Sequence, residues 1–182
     1  MSSQGPNSPT TTDATTGAGS VTWPNSGNVI ASDRSYATAA FSGFSATKAL
    51  HAAGYGFSIP AGATIDGIVL EIERKASGAN EARDNGGGVD LLNSSSTEVG
   101  DKGDTGTNYP TSDAYATYGS SADLWGVSWA ASDINSANFG GSLGCTNLVS
   151  TTTVSVDHMR IIVYYTPAAS PMASVMMLLG VG

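Results

Sequence analysis

The sequence predicts an all-β fold, an antiparallel β-sandwich or jelly roll with extended N- and C-terminal arms. Three observations carry this. Charged residues make up only 12% of the chain and glycine occurs 23 times. The polar surface must therefore be built from Ser, Thr, Asn and Gly, which suit tight turns, and not from the Glu, Lys and Arg that helices draw on. Second, the stretches from Thr64 to Ala76 and from Thr152 to Tyr165 alternate with a period of two, the mark of a strand with one face buried. Third, turns bearing Gly or Pro recur between short apolar runs, and the long amphipathic helices of a parallel α/β fold are missing.

In chain order, residues 1–20 are Ser, Thr, Gly and Pro with almost no apolar side chains. They are expected to be a flexible N-terminal arm, because such a segment cannot offset its own ordering entropy. It would need a holder, either a neighbouring subunit or its own domain. Residues 21–166 form the sandwich. Val21-Thr22-Trp23 is a short candidate strand stopped at Pro24-Asn25-Ser26-Gly27. Tyr36 to Phe41 and Lys48 to Ala53 follow, then Phe57-Ser58-Ile59 before the turn Pro60-Ala61-Gly62. In the long strand from Thr64, Ile68, Leu70 and Ile72 share one face while Val69, Glu71 and Glu73 share the other. Gly88 to Leu92 and Thr97 to Gly100 read as a hairpin across Asn93-Ser94-Ser95-Ser96. Leu124 to Trp129 is a short strand, and Ala130 to Asn135 one helical turn capped by Ser132 or Asp133. Gly141 to Val149 precedes the last strand, where Met159, Ile161, Val163 and Tyr165 share a face and Pro167 ends the run. Residues 167–182 form an apolar C-terminal arm.

Length and charge set bounds on function. A chain of 182 residues is about one domain and can bury a core without disulfides or metal. Its net charge of −8 disfavours nucleic acid, whose phosphates require clustered Lys and Arg. The single cysteine, Cys145, allows no intrachain disulfide, as is expected of a protein assembled inside a cell. Met1-Ser2-Ser3-Gln4-Gly5-Pro6 has neither the basic nor the apolar region of a signal peptide. The apolar run from Met172 to Val181 is about half the length that spans a bilayer, so no membrane partner is expected.

The stretch Gly56-Phe57-Ser58-Ile59-Pro60-Ala61-Gly62-Ala63-Thr64-Ile65-Asp66-Gly67-Ile68-Val69-Leu70-Glu71-Ile72 resembles a core signature of a β-sandwich module of phage and prophage virion structural proteins. Ser32-Asp33-Arg34-Ser35-Tyr36-Ala37-Thr38, Leu124-Trp125-Gly126 with Ser132-Asp133-Ile134-Asn135, and Val156-Asp157-His158-Met159-Arg160-Ile161-Ile162-Val163-Tyr164-Tyr165 fit the same pattern. The resemblance covers about residues 21–166. The order of elements is also similar to jelly-roll carbohydrate-binding modules. The motif is structural, a tight turn feeding a buried strand, and specifies fold better than function.

Candidate sites are few. Two histidines occur, His51 and His158; Asp157 and His158 are adjacent on a strand and should face opposite sides, so they make no acid–base pair. No Gly-x-Ser-x-Gly elbow is present, and Cys145 has no histidine nearby in sequence. Glu71 and Glu73 share a face, as glycosidase carboxylates do, but beside Arg74 and Lys75 they read as a solvated face. Asp101-Lys102-Gly103-Asp104 and the acidic loop from Glu81 to Asp90 lack the alternating Asp pattern of a calcium hand and read as ordinary turns. The glycines at 86–88 lack the helix and basic residues of a phosphate cradle. Thus no enzyme, cofactor or metal is expected. Tyr109, Tyr115 and Tyr118 lie in a polar stretch, where they either stack on sugar rings at the sandwich rim or cover the core or an interface. The residues expected to contact another subunit are Met172, Val175, Met176, Met177, Leu178, Leu179 and Val181, since methionines adapt to irregular grooves and the run would be a sticky patch in water. Folding back on its own sandwich is the plain alternative.

The expected function is that of a virion structural protein in a phage-like particle assembled in the host cytoplasm. A capsid decoration (cement) protein fits best, a homotrimer bound to the major capsid protein. The alternatives are a tail or fibre component, or a carbohydrate-binding module for a host-surface glycan.

Overall fold

The two most strongly alternating segments become the two longest strands and the centre of the molecule. In a computed structural model that describes residues 1–169, β5 (Thr64–Ala76) and β10 (Thr152–Thr166) pair antiparallel over almost their whole length. Ile68, Leu70 and Ile72 of β5 face Val154, Val156, Met159, Ile161 and Val163 of β10 in the core, all fully buried. Each such side chain contributes roughly 1.5–3 kcal/mol on burial.

The described residues contain eight further strands. They are β1 (Ser2–Asn7), β2 (Thr11–Asp13), β3 (Ala37–Phe41), β4 (Leu50–Ala53), β6 (Ala82–Leu92), β7 (Glu98–Val99), β8 (Ala114–Ser120) and β9 (Gly140–Asn147). A single helical turn, α1, spans Ala131–Ile134. One sheet holds β10, β5 and β8, with β3 and β1 both on the free side of β10; the other runs β2-β4-β9-β6-β7. Setting β1 and β2 aside, the sheets read β3-β10-β5-β8 and β4-β9-β6-β7. The pairs β3·β10, β4·β9, β5·β8 and β6·β7 are all antiparallel. A ribbon of four nested pairs folded over itself into two sheets is the jelly roll. No helix among the described residues is long and apolar enough to cross a membrane.

Residues 1–20 are not the flexible arm their composition predicts. β1 pairs with β10, from Ser2 opposite Tyr165 to Asn7 opposite Ile161, and β2 pairs with β4. Gln4 exchanges hydrogen bonds with both backbone groups of Ser58, and Asn7 donates to the Tyr55 carbonyl. The segment orders on its own domain because the open edges of β10 and β4 supply backbone partners, which need no apolar side chains. At the other end, β10 stops at Thr166, and Pro167, Ala168 and Ala169 are exposed. The remainder of the expected C-terminal arm lies outside the described residues.

Three expected strands differ. Val21-Thr22-Trp23 makes one bridge, Val21 to Thr47, while Trp23 is buried and donates to the Lys48 carbonyl. Leu124 to Trp129 is a turn that drives Trp125 into the core, where its Nε1 donates to the Ile68 carbonyl at 3.0 Å. Phe57-Ser58-Ile59 joins neither sheet, and a side chain takes the place of a partner strand: Asn135 bonds both backbone groups of Ile59. In α1 the cap position falls on Ala130, whose N–H is met by the Asp133 carboxylate at 3.0 Å.

Candidate functional site

Tyr109 and Tyr118 do not line a rim. Both are buried, and their hydroxyls donate to Asp84 at 2.8 and 2.7 Å. Asp84 in turn meets Arg74 at 2.9 Å, and both side chains are shut away from water. The guanidinium also donates to the Tyr118 hydroxyl and lies 4.0 Å over the Tyr109 ring. Asp104 completes the carboxylate's shell with its backbone N–H. Burial weighs against the charge on Arg74, yet Tyr109, Tyr118 and Asp84 outweigh it and raise its pKa. Burial raises the pKa of both tyrosines. The tyrosines therefore belong to a cross-sheet ion pair and cannot stack on a sugar. Beside them Cys145 is fully buried, and burial pushes its thiol up to about 12, so it is no nucleophile at neutral pH.

Tyr115 is half-buried on the outer face of the first sheet, in a chain of contacts invisible in the sequence. Glu71 pairs with Arg160 at 2.7 Å, and the Arg160 guanidinium lies 3.9 Å over the Tyr115 ring. The Tyr115 hydroxyl is 2.8 Å from His158 Nδ1, and His158 Nε2 is 2.9 Å from Ser8 Oγ. Burial, then Arg160, lowers the His158 pKa, so the ring is neutral at pH 7. Glu73, opposite Tyr115 across the strands, keeps one buried carboxylate oxygen without a hydrogen bond. A serine, an imidazole and a third group in sequence have the order of a nucleophilic relay. The opening on this face, about 460 Å³, is instead lined by Ser32, Asp33, Arg34, Glu73, Asp113 and Asp157, and Ser8 is not part of its wall. The arrangement fastens the N-terminal segment to β10.

Asp157 and His158 depart from simple alternation, because the β5–β10 register shifts between Val156 and His158. Both are buried, and they have different partners: Asp157 accepts from the backbone N–H groups of Asp33 and Arg34. Asp101 and Asp104 likewise turn onto N–H groups of their own loop, at Gly103 and at Gly106 and Thr107. Among the described residues no group of three or more His, Cys, Asp or Glu is placed to hold a metal.

On the outer face of the second sheet, Asp13, His51, Ser142 and Asp90 line up across β2, β4, β9 and β6. One oxygen of Glu98 lies 2.8 Å from His51 Nε2 and accepts from Ser142 Oγ at 2.7 Å. Burial, then Glu98 and Asp101, raises Asp90 to about 6. Beside this row lies a groove of about 350 Å³ that includes Thr12, Asp13, His51 and Asn138 over an apolar floor of Ala53 and Leu92. It offers hydroxyl, carboxylate, imidazole and amide groups to a polar ligand.

The fold and these faces define a jelly-roll β-sandwich whose polar side chains are largely engaged with one another. No protein family, no curated protein and no solved structure matches the chain. Met172, Val175, Met176, Met177, Leu178, Leu179 and Val181 lie outside the described residues.

Proposed function

We propose that this chain is a non-catalytic structural protein of a phage-like particle, a capsid decoration protein that holds to its neighbours through subunit contacts. The observation that carries the reading is at the end of β10. The chain leaves the sandwich exposed at Pro167, Ala168 and Ala169, and within three residues the sequence turns into the apolar run from Met172 to Val181. Burying such a run could contribute on the order of 10 kcal/mol before ordering costs. The partners are further copies of the chain, as a homotrimer, and the major capsid protein, in a virion assembled in the host cytoplasm. The turn-and-strand signature from Gly56 to Ile72, read in the sequence as resembling virion jelly-roll modules, motivates the same reading. Deleting residues 168–182 tests it: both self-association and binding to particles are expected to fall. Unchanged assembly refutes the reading. The proteins adjacent to this one in a purified particle then separate a capsid from a tail or fibre position.

The groove on the second sheet favours a second reading, a module that binds a host-surface glycan by hydrogen bonds. A glycan array with the purified chain decides it: specific binding lost on Asp13→Ala supports this reading, and no binding removes it.

A further inference from the structure

Phe44 is 75% exposed, the most exposed of the large hydrophobic side chains described. It stands at one end of the sandwich, in the loop after β3, beside a groove of about 450 Å³ whose walls include Val21, Thr22, Pro24, Ala40 and Ser42. The groove opens where β3 loses its outer partner. Thr38 donates its N–H to the Pro24 carbonyl. Backbone groups alternate in direction along a strand, so those of Ala40 face the same side. There, however, the neighbouring chain has turned away: Val21 exchanges hydrogen bonds with Ala46 and Lys48 instead. What remains is an open strand edge flanked by an exposed aromatic ring, which is the form of site that takes an extended apolar peptide by strand addition.

We propose that this groove receives the apolar segment Met172–Val181 of a second copy of the chain. The inference rests on the subunit-contact reading above and names its receptor site. The reach of the chain selects the second copy. β3 pairs with the start of β10, Phe41 lying opposite Thr152, whereas the chain departs from the other end of β10 at Thr166. At about 3.3 Å per residue these two ends are roughly 45 Å apart. Met172 is six and Leu178 twelve residues past Thr166, at most about 20 and about 40 Å away when fully extended, and only the last residues of the run could span the gap. The bulk of the run thus falls short of its own groove and meets that of a neighbour. The groove brings the exposed Phe44 ring and the outward-facing backbone of Ala40 between hydroxyl-bearing walls; the run brings Met and Leu side chains for the ring and a backbone for the strand edge, and carries no charge.

The test places a photoreactive benzophenone amino acid at position 44 of the full-length chain and irradiates a mixture of light and heavy isotope-labelled protein. Crosslinks between position 44 and residues 172–181 in mixed-isotope pairs are expected. Same-chain crosslinks, crosslinks to any other segment, or none while the copies still associate overturn the inference. In parallel, Phe44→Asp, at a solvated loop position, is expected to reduce self-association to the level of the chain lacking residues 168–182. If the deletion dissociates the copies and Phe44→Asp does not, the receptor site is wrong and the proposed function stands. If neither the deletion nor Phe44→Asp alters association or particle binding, both fall.

Discussion

The guanidinium of Arg74 on β5 and the carboxylate of Asp84 on β6 meet at 2.9 Å between the two sheets, with both side chains withdrawn from water. Removing one partner of a buried pair strands the other charge, whereas replacing both with apolar residues can be nearly neutral. Asp84→Asn is expected to cost about 3–5 kcal/mol in urea unfolding. The double variant Arg74→Met with Asp84→Leu should cost far less than the sum of its single changes. An additive double-mutant cycle would show the pair to be uncoupled.

Asp90 gives stability an acid-side dependence. Its folded pKa, about 6, lies above its ordinary value of 3.8, so between those values the folded state binds more protons than the unfolded one. Stability from this group is therefore fully present below about pH 4 and is lost as pH rises through 6. Asp90→Asn should remove that slope and raise stability at pH 7 by about 1–2 kcal/mol, allowing for partial solvent screening. Thermal melts from pH 4 to 7.5 check it.

His158 acts with the opposite sign. Its folded pKa is lowered, so the neutral ring contributes stability present above its unfolded value near 6.5 and lost as pH falls through its folded value. Arg160, Glu71, Glu73 and Asp157 set the field around it. Because Nε2 faces Ser8, the loss should concentrate in β1. Hydrogen exchange of Ser3 and Gln4, corrected for intrinsic rates, is expected to accelerate at pH 5.5 relative to 7.5, and His158→Gln to flatten the difference.

The close passage of β8 over β5 at Gly119 should admit no side chain. Gly119 has φ +76°, and a Cβ there would overlap the Ile68 carbonyl oxygen and come within 2.7 Å of Trp125 Nε1. Gly119→Ala should cost at least about 2 kcal/mol, seen as a lower Tm together with changed Trp fluorescence.

What the sequence disclosed and what it hid divide along one physical line. β5 and β10 are legible because one face of each meets the core, and that face alternates. β1 and β2 are not, since their stability comes from backbone hydrogen bonds to strand edges distant in sequence, to which composition is blind. β8 was missed for a related reason: Ala114 to Ser120 packs little apolar bulk, and its tyrosines sit among polar residues. The same polarity made Tyr109 and Tyr118 look like surface groups. They are interior because Arg74 and Asp84 are interior, an arrangement of charge that sequence patterns assign to solvent. The relay from Ser8 through His158 to Tyr115 joins three segments that only the register of β10 brings together.

The opposite placement of Phe44 and the chain exit along β10 has a consequence for assembly geometry. A contact that seats the tail of one copy in the groove of the next uses different patches on the two partners, so it is heterologous and leaves one tail and one groove unsatisfied at every stage until the chain of copies closes. A turn of about 120° at each contact satisfies every site with three copies; any angle that fails to close produces a growing fibre. Trimers at low concentration without dimers or longer species would therefore report the contact angle itself, and a single substitution in the short tether at Pro167–Ala169 could convert a closed ring into filaments.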